Sequence, residues 1–199
     1  MPTIAHMWNL RARIGNSIFD TFPCQEPPHA SSLVPLVKCS DGKGGWTECL
    51  HEDAEYVVRL FDGKLWTEIV PQLLVGQGYS SIFFWLTADA AAYYLPAFLL
   101  VSTFDLRSDN DITGYIFDRL IPPEREDFKE KFCSEMSYPP VQQEIDKFVR
   151  LCEILSKPKK QLIVDFLKYK AGAISVLDPN EEYELALRAL ADYWRAMNE

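Results

Sequence analysis

The chain has 199 residues, 48% of them hydrophobic and 25% charged, with a formal net charge of −9. That composition is globular and large enough for one sizeable core, so a single domain over 1–199 is expected. The negative charge argues against non-specific nucleic-acid binding, which depends on Lys and Arg neutralising phosphates, and it suits a basic protein partner instead.

The longest unbroken apolar run, Ala90 to Val101, falls short of the roughly 20 residues needed to span a bilayer. The N-terminal stretch lacks the continuous apolar segment of a signal peptide, so a soluble protein with no membrane association is expected. Five cysteines form no C-x-x-C pair, which predicts reduced thiols and a cytoplasmic setting.

Ile4 to Phe22 carries apolar residues at helical spacing and predicts an amphipathic first helix that stops before Pro23. From Pro23 to about Cys49, four prolines and Asp41-Gly-Lys-Gly-Gly45 predict a long N-terminal loop, 23–49, with only Leu33 to Val37 as a short extended piece. Helical spacing returns at His51 to Phe61, with acidic residues in the first turn and a stop at Asp62-Gly63. A short helix around Trp66, Ile69 and Leu73 follows. Ser81 to Leu86 reads as a buried extended segment or a loop plugging the core, and its sequence leaves open whether it is extended or helical.

Thr87 to Thr103 is apolar on nearly every face, which places it at the centre of the fold. Thr87 is its expected cap, and Pro96 is expected to kink it and free the carbonyl of Ala92, with the Tyr93 and Tyr94 hydroxyls as candidates to satisfy that group. Beyond it, Ile112 to Leu120, Pro122-Pro123 onward, Pro140 to Arg150, Pro158 to Lys168 and Asp178 to Met197 each combine a helix-start signal with an apolar stripe. Tyr183, Leu187, Leu190, Trp194 and Met197 alternate at spacings of four and three, so that last face must pack on something. The sum is an all-α domain of about eight helices around a buried, Pro-kinked central helix.

No motif specifies chemistry. Cys49-x-His51 lacks the second pair of a zinc site, so no metal is expected. Gly42-Lys-Gly-Gly-Trp46 lacks the spacing of a phosphate-binding loop, Gly76-Gln-Gly-Tyr-Ser80 is not a nucleophile elbow, and Asp109-Asn-Asp111 serves as a helix cap rather than a calcium loop. No cofactor is expected, and the absence of a local nucleophile and base pair leans against an enzyme.

Leu86-Thr-Ala-Asp-Ala-Ala-Ala-Tyr-Tyr-Leu-Pro-Ala97 resembles the motif of an uncharacterised bacterial family, in which a Leu-Thr-x-x-Ala turn runs into a Tyr-Tyr-Leu-Pro-Ala helix. The resemblance extends from about Gly63-Lys-Leu-Trp66 to Asp192-Tyr-Trp194. It implies one helical domain and carries no activity, cofactor or catalytic residue with it.

Two functions are expected to compete. In the first, the chain is a non-catalytic protein-binding module of immunity or antitoxin type, meeting a basic partner through Trp46 in the glycine-rich loop and through Glu124, Glu126, Asp127, Glu181, Glu182 and Glu184. In the second, it is a small enzyme or ligand-binding helical domain with a pocket near Tyr93, Tyr94 and Pro96.

Overall fold

The computed structural model describes residues 4–40, 45–50, 52–75, 82–104, 111–123, 141–177 and 181–198. In chain order the elements are α1 (Ile4–Thr21), α2 (Ala30–Leu33), β1 (Val37–Ser40), β2 (Trp46–Cys49), α3 (Glu52–Phe61), α4 (Trp66–Val75), α5 (Ile82–Trp85), α6 (Ala88–Phe104), α7 (Asp111–Leu120), α8 (Val141–Ile154), α9 (Lys157–Leu177) and α10 (Glu181–Ala196). The fold is all-α, and among the described residues eight of these helices run ten residues or longer.

A helix without a polar face can be stable only where every side meets protein. Fourteen of the seventeen residues of α6 are accordingly buried, and α1, α2, α4, α7, α8 and α9 all pack against it. Thr87 caps it as its sequence position predicts: its hydroxyl accepts from the Ala90 N–H at 3.2 Å and donates to the Ser32 carbonyl at 2.7 Å. The cap therefore also fastens α2 to the central helix. At the other end, carbonyls that a helix cannot satisfy internally are taken by α9, where Lys170 donates to Ser102 O and Tyr169 to Thr103 O, both at 3.1 Å.

The helix continues through Pro96, but the tyrosines do not serve its interrupted backbone. Helical side chains radiate away from their own axis, so a tyrosine hydroxyl ends on a neighbouring element. Tyr93 donates to Gln25 O at 2.8 Å, and the Tyr94 hydroxyl lies 2.9 Å from the carbonyls of both Phe61 and Lys64. Tyr94 thus closes the C-terminal end of α3, where Gly63 supplies the left-handed backbone (φ +66°) that ends the helix.

Two further expectations are corrected and one open alternative is decided. The stretch 23–49 is no structureless loop: it holds α2, whose Leu33 is fully buried, and an antiparallel ribbon in which Val37 pairs with Cys49 and Ser40 with Trp46. Strands of four residues are too short for a period-two pattern to stand out. In the stretch to Leu86, Ile82–Trp85 forms one helical turn and Phe83 and Leu86 are buried, which decides for the helical path. Cys49 is disulfide-bonded, while Cys24 and Cys152 carry no disulfide, so the cysteines are not uniformly reduced and their argument for a reducing compartment weakens.

The remaining helices follow their start signals, with Pro140 just before α8 and Pro158 in the first turn of α9. The last seam packs inward: Leu187, Leu190 and Trp194 are fully buried, and α10 lies chiefly against α9. Met197 falls outside that core and is exposed. The helix expected from Pro122-Pro123 onward lies outside the described residues beyond Pro123. Among the described residues, no helix is long and apolar enough to cross a membrane.

Candidate functional site

Pro23 cannot extend α1 in a regular way, and the chain leaves the helix there to run without regular structure to His29. Two contacts hold this segment against the core: the Tyr93 hydroxyl on Gln25 O, and Cys24 Sγ at 3.8 Å from Thr67 Oγ1 on α4. The start of α4 is itself fixed by Glu68, whose carboxylate reaches back to the Leu65 N–H at 2.7 Å, half of a capping box. Trp66 is thereby set beneath the segment, 1% exposed, with its ring 5.2 Å from that of Phe19.

Between these pieces lies a cleft of about 230 Å³. Pro23, Gln25, Glu26 and Pro28 form one wall, Trp66, Ala92 and Tyr93 line it from α4 and α6, and Ile154 and Lys159 close it from α8 and the first turn of α9. At the rim, Arg150 grips Asp89 with two hydrogen bonds, Nε to Oδ2 at 3.3 Å and Nη2 to Oδ1 at 3.1 Å. Asp89 is therefore already matched by a cation.

Two donors on residues that line the cleft have no partner among the described residues. The buried indole N–H of Trp66 has no hydrogen-bond partner, although a buried donor left unmade costs about 1–3 kcal/mol. Lys159 has no carboxylate partner among the described residues; its ammonium rests 4.9 Å from the Phe22 ring centroid, and burial pushes its pKa down. The Tyr93 hydroxyl is pushed up, first by burial, so it is a neutral phenol at ordinary pH. A hollow of about 250 Å³ between α1 and α9 is slightly larger, but its Asp165 is already bonded by Gln161 and its Tyr169 by Thr103 O. Its two cations, Arg13 and Lys168, are exposed to water, whereas the Lys159 ammonium of the Tyr93 cleft is half-buried, and that distinguishes the Tyr93 cleft.

Of the pocket expected near Tyr93, Tyr94 and Pro96, only Tyr93 lines the cleft. Tyr94 and Pro96 are interior residues. The acidic partner surface is largely out of view: Glu124, Glu126 and Asp127 lie outside the described residues, as do the side chains of Trp46, Glu181 and Glu182. Glu184 is described and is paired with Arg188 at 2.7 Å, which halves its value as an exposed negative charge.

A second polar cluster has no counterpart in the sequence reading. Glu144 on α8 accepts from Arg119 of α7 at 2.9 Å and from Lys147 at 2.7 Å, and all three side chains are more than nine-tenths buried. Arg119 also donates to Leu86 O at 2.7 Å, finishing a carbonyl that the single turn of α5 cannot satisfy. Burial, reinforced by the Arg119 charge, pushes the Lys147 ammonium down to about 8, and burial lowers Arg119 as well. The available signal is positional: Glu144, Lys147 and Leu151 share the core-facing stripe of α8, where charged residues need partners. This triad ties α5, α7 and α8 together.

No family model, curated protein or solved structure matches the chain. The chemistry of the site is therefore read from its own residues.

Proposed function

We propose that the protein is a non-catalytic ligand-binding helical domain whose site is the Tyr93 cleft. The observation that carries this reading is the cleft itself, a hollow of about 230 Å³ that gathers Tyr93, the half-buried Lys159 and the apolar side chains of Phe22, Ala92 and Ile154. The cleft is below the usual 300–1,000 Å³ of drug-sized pockets, so a small molecule suits it. A fragment screen by two-dimensional NMR on the full chain tests the reading. Binders are expected to shift resonances of Trp66, Ala92, Tyr93 and Ile154 together; a screen in which no fragment moves them sinks it.

The net charge of −9 favours a second reading, an immunity-type module that steers onto a basic protein. Under it, association with that partner slows as salt rises, and Gln at Glu181, Glu182 and Glu184 slows it further while the fold holds. An association rate indifferent to both would leave the charge as a solubility device.

A further inference from the structure

Three features of Lys159 work against its charged form. It lies in the first turn of α9, the end of a helix where the aligned peptide dipoles disfavour a cation, and that turn holds no acidic residue. It is half-buried, and burial lowers its pKa. Glu26 and Asp89 line the same cleft, yet Asp89 is held by Arg150 through two hydrogen bonds, and neither carboxylate forms an ion pair with Lys159. What supports the charge is the Phe22 ring, whose centroid lies 4.9 Å from Nζ. That contact also sets Nζ at the cleft, because Phe22 is part of its wall. A lysine with a weakened hold on its proton keeps a fraction of neutral amine near neutral pH, and the neutral amine is the nucleophile that attacks carbonyl carbon.

The rest of the wall, with Pro23, Pro28, Ala92 and Ile154, offers hydrocarbon. An anion would have to shed its water there with Glu26 and Asp89 alongside, a cost that a neutral carbonyl compound avoids. We propose that the cleft captures a small apolar aldehyde, reversibly, as an imine on Lys159. The amine lone pair forms the C–N bond, the carbonyl oxygen takes the two amine protons in turn and leaves as water, and nothing is oxidised or reduced. Hydrolysis along the same path releases the aldehyde. The proposal rests on the cleft being the ligand site and adds the class of ligand and the residue that holds it.

Incubation of the intact protein with isobutyraldehyde and cyanoborohydride near neutral pH traps each imine as a stable secondary amine, and peptide mapping by mass spectrometry reads the rate at every lysine. Exposure alone would favour Lys157, which lies in the same turn and is more open to water than Lys159. The opposite order is expected: Lys159 labelled at least about tenfold faster than Lys157 and Lys160, the factor that about 1.4 kcal/mol of apolar contact in the cleft supplies. Excess isobutyramide, which has the same body without an electrophilic carbonyl, should slow labelling at Lys159 and leave Lys157 and Lys160 unchanged. Equal rates at the three lysines, or a Lys159 rate indifferent to isobutyramide, would overturn the imine assignment, while shifts of the Ala92 and Ile154 resonances with either probe would keep the cleft as a ligand site. If neither probe nor any screened fragment perturbs the cleft, the site itself falls with it.

Discussion

Glu144→Gln is expected to destabilise the fold by about 3–5 kcal/mol, the loss typical of removing one partner from a buried ion pair. The substitution keeps the shape of the side chain and removes only its charge. Arg119 and Lys147 would then face each other with their shared carboxylate gone, in a site where Glu144 is only 3% exposed. Both cations repel, and neither can swing to water without giving up packing; Arg119 would also have to release Leu86 O. For a chain of this size, the loss corresponds to a melting temperature lower by roughly 10 °C. Chemical denaturation measures the free energy directly. A loss below about 1 kcal/mol would mean that water reaches the triad and screens it as it does a surface pair. The companion variant, with Glu144→Leu, Arg119→Met and Lys147→Met combined, should recover much of the loss, because well-packed apolar replacements of buried ion clusters are often neutral or stabilising.

How much of this was legible in the sequence follows from what each segment depends on. The central helix was readable because its burial is written into its own residues: no arrangement leaves Ala90 to Val101 exposed, and Thr87 marks its start with a side chain that bonds three residues on. α1, α3, α8, α9 and α10 were readable for similar local reasons, a stripe and a start signal. What failed depended on distant partners. The single turn of α5 stands because Arg119, 33 residues away, takes the Leu86 carbonyl. The ribbon of β1 and β2 consists of four-residue strands that pair with each other.

The site divides in the same way. Tyr93 could be suspected from its place beside the proline of an apolar helix, but its wall is assembled from Trp66, the Pro23–Pro28 segment, Ile154 and Lys159, which no spacing rule connects. Tyr94 adjoins Tyr93 in sequence yet points its hydroxyl at α3, since neighbouring residues on a helix are about 100° apart. Nothing in its sequence position sets Lys159 apart from Lys157 and Lys160 at the same helix start. Its interest comes only from the Phe22 ring against it and the cleft beside it. The charged pair of Glu144 and Lys147 was written into the apolar stripe of α8, and Arg119 completes it from another helix.

Stability is expected to rise between about pH 8 and pH 10 and to fall above pH 10. The rising limb belongs to Lys147, whose folded pKa is held down to about 8 by burial and by Arg119, against 10.5 ordinarily. Below about pH 8 the folded and unfolded chains both carry this proton, and the full cost of burying the charge is present. Between that pH and 10.5 the unfolded chain binds more protons than the folded one, so stability increases with pH, by roughly 3 kcal/mol if the whole interval were traversed. Lys159, also lowered by burial, adds a smaller contribution of the same sign. Arg119 remains protonated throughout and keeps Glu144 paired once Lys147 is neutral. Above pH 10 the tyrosines oppose the trend. Tyr93, Tyr94 and Tyr169 are all pushed up, chiefly by burial, so the stability they contribute is complete below 10 and drains away as the unfolded phenols ionise first. Denaturation midpoints from pH 7 to 11 should therefore pass through a maximum near pH 10, and Lys147→Met should flatten the rising limb while leaving the fall in place. A wild-type midpoint that is level from pH 8 to 10, or a rise that survives Lys147→Met undiminished, would show that the ammonium is hydrated in the folded protein and that the triad is more open than its burial implies.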